Sequence, residues 1–112
     1  MAIKKESKSL GMPWEKEYGY SQVVKVGDTI YRSGQVSHDD EGKIVRRGDM
    51  EAQMRQAYAN IQKMLEQYGA TMDNVIDEVL FVTDMNTAFA AAVKCRQEVF
   101  SGQPVVASTI VK

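Results

Sequence analysis

The sequence predicts an α+β fold in which one β-sheet packs against two helices that lie on the same face. Two stretches of the chain repeat apolar residues every three or four positions, as amphipathic helices do. Around them lie short runs rich in valine and isoleucine and bounded by turn residues, which is typical of strands. Layering the sheet on both helices buries all of these apolar surfaces together. The predicted order of elements is β-β-β-α-β-α-β.

The first three predicted strands precede the first helix. Val23–Val26 and residues 29–36 form two strands joined by a tight Gly-Asp turn. Residues 37–42 are polar and include a glycine, so we expect a turn there. Residues 43–45 then form a short return strand.

The first helix is predicted to begin after Asp49, where the apolar period changes to three or four residues. Asp49 is a suitable N-cap, because a short carboxylate accepts a hydrogen bond from the exposed N–H groups of the first turn. Gly69 stands where the end of a helix favours a left-handed residue. The stripe expected to face the sheet consists of Met50, Met54, Ala57, Tyr58, Ile61, Leu65 and Tyr68.

The second half of the chain contains a strand, a helix and a final strand. Residues 75–83 are almost continuously apolar, which favours a strand in the interior of a sheet. Asn86 is predicted to cap the second helix, and Pro104 to end the loop that follows it. Residues 105–111 form the last strand. The apolar face of the second helix is expected to consist of Phe89, Ala92, Val93 and Phe100.

Length and composition limit the classes of protein to be considered. The chain has 112 residues, and we expect a flexible N-terminal arm at residues 1–14 and a single domain at residues 15–112. A net charge of −1 gives no electrostatic reason to expect a nucleic-acid or membrane partner. No apolar run approaches the ~20 residues of a membrane span. With one cysteine and no signal-peptide pattern, the sequence indicates a cytoplasmic protein.

The sequence offers few residues for metal binding or nucleophilic catalysis. His38 is its one histidine and lies in a polar turn, where an exposed residue is expected. Cys95 lies on the second helix and is expected to be a half-buried thiol. The sequence has neither metal-ligand spacing nor a glycine-rich phosphate loop, so no metal and no cofactor is predicted.

Small polar residues near the ends of the predicted strands are the remaining candidates for a site. Tyr20, Ser33, Gly34 and Thr109 supply hydroxyl groups and an exposed peptide, which suit a pocket that binds a small molecule by hydrogen bonds. A β-bulge at Ser33 and Gly34 explains that pair equally well. The residues alone leave both interpretations open.

The order of several short motifs resembles the Rid (YjgF) family, also called the endoribonuclease L-PSP family. Each motif is short, but together they extend over residues 20–111 in the order that the family shows. The matching segments are residues 20–22, 26–28, 33–35, 49–56 with Asn60, 69–70, 73–75, 82–85, and Pro104 with residues 107–109.

This resemblance implies a chorismate-mutase-like fold that assembles as a homotrimer, with its sheets facing inward and small-molecule pockets between subunits. It also implies hydrolysis of reactive enamines and imines without a metal or a cofactor, as in the best-known members. Other members are described as ribonucleases or translation inhibitors, or have no known activity. By position, the resemblance places Tyr20, Ser33, Gly34, Ala107 and Thr109 in the pocket.

The family holds the substrate carboxylate with an arginine that this sequence lacks. The position falls at Ala107, or at Val106 if the alignment shifts by one residue, and neither is basic. Arg32 adjoins Ser33 in a strand, so we expect its side chain on the opposite face. The glutamate thought to position the attacking water belongs to a last strand that these 112 residues do not contain. Since Lys112 follows a strand-like run without a turn, we expect the natural chain to continue beyond it.

Three functions are therefore open, and the sequence identifies no catalytic residue. The first is binding of an uncharged or differently charged metabolite by a Rid-type pocket that lacks the arginine. The second is a 2-imino-acid deaminase that holds the carboxylate with backbone amides and hydroxyls around Ser33, Gly34 and Thr109. The third is a ribonuclease or translation inhibitor. The near-neutral charge and the lack of a cluster of His, Lys and Arg argue against this third function.

Overall fold

The computed structural model describes residues 2–102 and 105–112, and its mixture of helices and strands confirms the α+β class. Pro104, predicted to end a loop, lies outside the described residues. The helices and strands are β1 Glu6–Lys8, α1 Trp14–Tyr18, β2 Val23–Val26, β3 Thr29–Arg32, α2 Met50–Glu66, β4 Asp77–Phe81, α3 Met85–Val99 and β5 Ala107–Val111, with a 3-10 turn at Met72–Asn74.

The first sheet is antiparallel in the order β1-β2-β3. The predicted hairpin is present, with Val26 opposite Thr29 and Gly27 in the left-handed conformation that its tight turn requires. The second strand ends at Arg32 and is therefore shorter than predicted. Part of the predicted N-terminal arm lies in this sheet, because β1 pairs with β2 and places Glu6 opposite Lys25.

The prediction of a third strand at residues 43–45 is wrong. Only an isolated bridge between His38 and Ile44 occurs there. The side chain of Asp39 closes a turn here, because its Oδ1 accepts hydrogen bonds from the backbone N–H groups of Glu41 and Lys43, both at 2.9 Å. Across this turn the N–H of Asp39 donates to the carbonyl of Lys43, and the N–H of Val45 donates to the carbonyl of Ser37. The pairing extends over a single bridge and is too short to form a strand.

Helix α2 follows the prediction closely. Oδ1 of Asp49 accepts a 3.0 Å hydrogen bond from the N–H of Ala52 and so caps the first turn. Gly69 lies shortly after the helix with a φ of 71°, which a side chain would disfavour. The inward stripe is buried at Met54, Tyr58 and other positions, as its spacing predicts.

The second sheet consists of β4 and β5, which run parallel with Asp77 opposite Ala107. The prediction of an interior strand is wrong for the described residues, since β4 pairs with β5 alone. Its side chains alternate: Glu78 and Leu80 face the helices, and Phe81 is exposed. Half of the apolar run is thus left uncovered within this chain.

Helix α3 connects the parallel strands and begins two residues earlier than predicted. Oδ1 of Asp84 accepts from the N–H of Thr87 at 3.1 Å, so Asp84 is the N-cap and Asn86 lies inside the helix. Aspartate and asparagine are equally good N-caps, so residue type alone does not distinguish Asp84 from Asn86. The helix begins at Met85, which makes the preceding residue, Asp84, the cap.

The core lies between the two helices and the inner faces of both sheets. Met64 and Cys95 are completely buried where α2 and α3 meet, and Val23 is buried beneath the first sheet. Cys95 is therefore more enclosed than the predicted half-buried thiol. Within residues 2–102 and 105–112, none of the helices combines the length and apolar character of a membrane span.

Candidate functional site

A groove of about 440 Å³ lies between the two sheets. One wall is formed by residues 34–37, which follow β3, and the other by residues 78–82 in and after β4. The apolar stripe of α2 lines the groove with Met50, Met54, Ala57, Tyr58 and Ile61. The segment after β3, the strand β4 and an apolar helix face therefore surround one open space.

Glu78 is a buried carboxylate beside this groove. Its side chain is 3% exposed, and its Oε2 accepts a 2.6 Å hydrogen bond from the hydroxyl of Tyr58. Arg96 pairs with Oε1 at 3.2 Å and donates to Oγ of Ser108 at 2.8 Å. Burial raises the pKa of the Tyr58 hydroxyl above its usual range, and the contact with Glu78 raises it further. The network joins α2, β4, α3 and β5.

Arg32 contributes a positive charge to the groove. Its Nη1 donates to the carbonyl of Ser33 at 3.4 Å, and it has no ion-pair partner among residues 2–102 and 105–112. Burial lowers the pKa of the Arg32 guanidinium, and the negative charge of Glu78 partly offsets that effect. The groove is thus lined by one partly desolvated cation and by Glu78, whose charge Arg96 compensates.

Sequence reasoning missed Glu78 and Arg96, and it set Arg32 aside. The signal available for Glu78 was its place at an inward position of β4, where apolar residues are expected. A carboxylate at such a position requires a partner inside the protein. The partner Arg96 is on α3, 18 residues further along the chain. Local periodicity does not indicate such a contact.

The five predicted pocket residues are not gathered at this groove. Gly34 lines it, whereas Oγ of Ser33 points away and donates to the carbonyl of Ser21 at 2.8 Å. Tyr20 is 41% exposed at the start of the first sheet. Ala107 and Thr109 are exposed on the outer face of β5. Of the five residues, Gly34 alone lines the groove.

The outer face around Ala107 carries one carboxylate, that of Asp77. In the parallel pairing Asp77 is directly opposite Ala107, and Val79 is opposite Thr109. Paired residues of neighbouring strands present their side chains on the same face, about 5 Å apart. A carboxylate therefore lies beside the position where the Rid resemblance expects an arginine.

His38 is not the exposed turn residue that the sequence predicts. It is 3% exposed, and the ring of Trp14 packs against its imidazole edge to face at 5.3 Å. Nδ1 donates to the carbonyl of Asp39 at 2.9 Å, and Nε2 lies 3.1 Å from Oε1 of Gln35. Because the ring is buried against Trp14 and bonded to its own loop through Nδ1, His38 serves the structure of the loop.

Comparison with known proteins identifies the family. The sequence profile described as Endoribonuclease L-PSP matches residues 14–112. The chain belongs to this family, the Rid (YjgF) family. It is 33% identical over 88 residues to the RutC family protein YjgH of Escherichia coli, a match covering 79% of this chain and 66% of the relative.

Other members of the Rid family support the same assignment. The 2-iminobutanoate/2-iminopropanoate deaminase of Dermatophagoides farinae is 31% identical over 91 residues, which cover 81% of this chain and 70% of the relative. The crystal structure of RidA from an Antarctic Psychrobacter is 31% identical, with a TM-score of 0.74, and matches 99% of this chain and 84% of its own. The chain spans only about half to two thirds of the length of its curated relatives. It covers 66% of YjgH, 54% of a RutC family protein from Sulfurisphaera tokodaii and 53% of one from Pyrococcus abyssi.

Proposed function

We propose that this Rid-family chain assembles as a homotrimer whose inter-subunit pockets bind a small neutral or cationic metabolite. The observation that carries the proposal is the pairing of Asp77 with Ala107 on an exposed sheet face. The pocket would include Tyr20, Ser33, Gly34, Ala107 and Thr109 and would need no cofactor.

The trimer is supported by the apolar character of that outer face. Phe81 is 81% exposed, and Val79 and Val111 are also exposed on the same side of β4 and β5. Covering one exposed phenylalanine contributes about 1.5–3 kcal/mol, and three subunits repeat the contact. A sheet face of this kind favours association with copies of itself.

The charge of the pocket supports a ligand without a carboxylate. An arginine–carboxylate pair contributes roughly 1.5–3 kcal/mol, so its loss weakens the binding of an imino acid by about tenfold to over a hundredfold. Asp77 adds a negative charge beside the same position. A neutral or cationic group is the better partner for Asp77 and for the hydroxyl of Thr109.

The decisive experiment measures the decay of 2-iminobutanoate produced by an amino-acid oxidase. With the purified chain we expect the spontaneous rate. Acceleration comparable to that given by the Dermatophagoides deaminase would overturn the proposal.

A matched pair of variants tests the part played by charge. Ala107→Arg should strengthen the binding of 2-oxobutanoate by about tenfold or more, since it restores a bidentate donor. Ala107→Gln adds a side chain without charge and should leave that affinity low. Equal affinities for both variants would contradict the role assigned to this position.

Imine deamination is the second candidate, because relatives from Dermatophagoides farinae and Mus musculus are named 2-iminobutanoate/2-iminopropanoate deaminases. In that case backbone N–H groups near Ser33 and Gly34, together with the hydroxyl of Thr109, would hold the carboxylate. Any acceleration of imine decay should then be lost in Thr109→Val and kept in Thr109→Ser.

A further inference from the structure

His38 is the only histidine in the sequence, and 3% of it is exposed to solvent. Both nitrogens of its ring face oxygen atoms, because Nδ1 lies 2.9 Å from the backbone carbonyl oxygen of Asp39 and Nε2 lies 3.1 Å from Oε1 of Gln35. A neutral imidazole carries one proton, so one nitrogen donates a hydrogen bond and the other has to accept one. Neither oxygen has a proton to donate, so the neutral ring satisfies only one of these two contacts.

The hydrogen bonds of the Gln35 amide fix which of its atoms faces His38. Its Nε2 donates to Oε1 of Gln22 at 2.7 Å, to the carbonyl of Gly34 at 3.1 Å and to the carbonyl of Ser33 at 3.4 Å. Two of these acceptors belong to the backbone, so turning the amide over would leave them without their donor. Oε1 of Gln35 is therefore the atom directed at Nε2 of His38.

We infer that His38 is a pH-sensitive switch, which holds residues 33–38 in place as the doubly protonated imidazolium and releases them when it loses a proton. The imidazolium donates through both nitrogens, and Gln35 connects this contact to the carbonyls of Ser33 and Gly34. A neutral ring turns the lone pair of one nitrogen towards an oxygen, and this repulsion destabilises the loop because the ring is buried. The loop is thus most stable at the acidic end of the range of about pH 5–8 in which histidine exchanges its proton, and it weakens as the pH rises.

The charged side chains of this loop, and of the two helices that contact it, bond elsewhere. Oδ1 of Asp39 accepts from backbone N–H groups of its own turn. Lys63 of α2 pairs with Asp40, and Glu15 of α1 accepts from a backbone N–H at 3.1 Å. The remaining charged residues of the turn pair with each other, and they are Glu41 and Lys43. Within residues 2–102 and 105–112, uncharged oxygens are thus the hydrogen-bond partners of both imidazole nitrogens.

The direct test observes the ring nitrogens of His38 by NMR in the full 112-residue chain. At pH 7 a free histidine has lost its second proton in about three quarters of the molecules. We expect most of the His38 rings to carry both protons at that pH, and to lose one as the pH is raised towards 8. A ring that is mainly neutral at pH 7 would refute the inference.

Trp14 provides an optical measurement of the same event. It is the only tryptophan in the sequence, and its ring centroid lies 5.3 Å from that of His38. Its fluorescence should change over the pH range in which the imidazole loses its proton, and His38→Gln should abolish this change because glutamine does not titrate. A transition of the same size and midpoint in His38→Gln would assign it to another group and overturn the switch.

Two variants of Gln35 should move the midpoint of this transition in opposite directions. Gln35→Glu places a negative charge opposite Nε2 and favours the imidazolium, so the transition should move to higher pH. Gln35→Met removes the accepting oxygen, so the neutral ring is no longer opposed and the transition should move to lower pH. A purely structural role of Gln35 predicts no such opposition, and equal midpoints in both variants and the wild-type chain would contradict the switch.

Hydrogen exchange measures what the switch releases. The N–H of Ser33 donates to the carbonyl of Gln22 at 2.8 Å, and the N–H of Val45 donates across the turn at 2.9 Å. Protection of these two amides, corrected for the intrinsic exchange rate, should fall by about tenfold or more between pH 6 and pH 8. The amide of Met64, inside α2, is the control and should keep its protection.

Unchanged protection of Ser33 and Val45 while the ring loses its proton would overturn the inference. Ser33 and Gly34 also belong to the proposed pocket, so the switch would make the shape of that pocket depend on pH. No ligand enters any of these measurements, so their failure is separate from failure of the proposed function.

Discussion

The hydroxyl of Tyr58 donates a 2.6 Å hydrogen bond to Oε2 of Glu78, which joins the middle of α2 to the inner face of β4. Both residues are buried, with 4% of Tyr58 and 5% of Glu78 exposed when backbone and side chain are counted together, so water does not replace the bond if it is removed. The contact bridges residues 20 positions apart in the chain, and it stands beside the ion pair of Glu78 with Arg96.

Tyr58→Phe should lower the free energy of unfolding by about 2 kcal/mol, because a buried carboxylate loses a donor. Urea denaturation at pH 7 measures the difference. Tyr68→Phe is the matched control, since its hydroxyl makes only a 3.4 Å contact with the carbonyl of Glu6 at an exposed position. Similar losses in both variants would show that the Tyr58 bond has no special energetic role.

Gly42→Ala should destabilise the loop that carries His38. An added Cβ would stand 2.8 Å from Cη2 of Trp14, and the backbone has a φ of +84°. The left-handed backbone costs about 1–2 kcal/mol for alanine, and overpacking adds roughly 1–3 kcal/mol.

Gly48→Ala separates these two effects in the same urea experiment. Gly48 has a φ of +79°, but its added Cβ would meet nothing within 4 Å. We expect Gly48→Ala to lower the free energy of unfolding only by the cost of the left-handed backbone, about 1–2 kcal/mol. A Gly42→Ala chain as stable as Gly48→Ala would mean that Trp14 moves aside without cost.

Stability should fall in acid through the ion pairs between α2 and α3. Arg55 pairs with Glu98 at 2.6 Å and with Glu51 at 3.1 Å. The Arg55 guanidinium holds the pKa of Glu98 below its usual value of 4.5, and Lys94 followed by Arg55 does the same for Glu51. Because the folded pKa values are depressed, this stabilisation is present above about pH 4.5 and is lost as the pH falls through the lower folded values.

Arg55→Met tests this assignment in urea denaturation curves recorded from pH 7 down to pH 3. The variant should lose less stability than the wild-type chain over the acidic part of that range, because fewer protons are taken up on unfolding. Lys43→Met removes an exposed pair with Glu41 and should leave the slope unchanged. Parallel curves for the wild-type and Arg55→Met chains would show that other carboxylates cause the acid sensitivity.

Local signals explain which parts of this fold were predictable. The cap at Asp49, the turn at Gly27 and the stripe of α2 each depend on residues within a few positions, and the structure confirms them. The predicted return strand at residues 43–45 is reduced to a single bridge across the turn that Asp39 closes. A hydrophobic pattern indicates that a segment is extended, but it does not indicate how far the segment pairs with its neighbour.

The candidate site was harder to predict because its contacts are distant in sequence. Resemblance indicated the family and drew attention to Ala107, but the acidic neighbour Asp77 required the register of β4 and β5. The exposure of one face of β4 was not predicted, because an apolar run does not distinguish a face that the chain covers from one that it leaves exposed. The same exposed face provides a test of whether the chain forms a trimer.

Phe81→Asp should convert the proposed trimer into monomers. Phe81 is 81% exposed in the single chain, so the substitution should not disturb the core, yet it would place three carboxylates in the subunit interface. Light scattering should change from about three times the 12.5 kDa subunit mass to one. Phe89→Asp is the control, because Phe89 is 59% exposed on α3, away from the sheet face, and should leave the trimer intact. A wild-type mass of 12.5 kDa would rule out the trimer. A trimer that survives Phe81→Asp would place the assembly surface elsewhere. In either case the pocket around Ala107 would have no second wall.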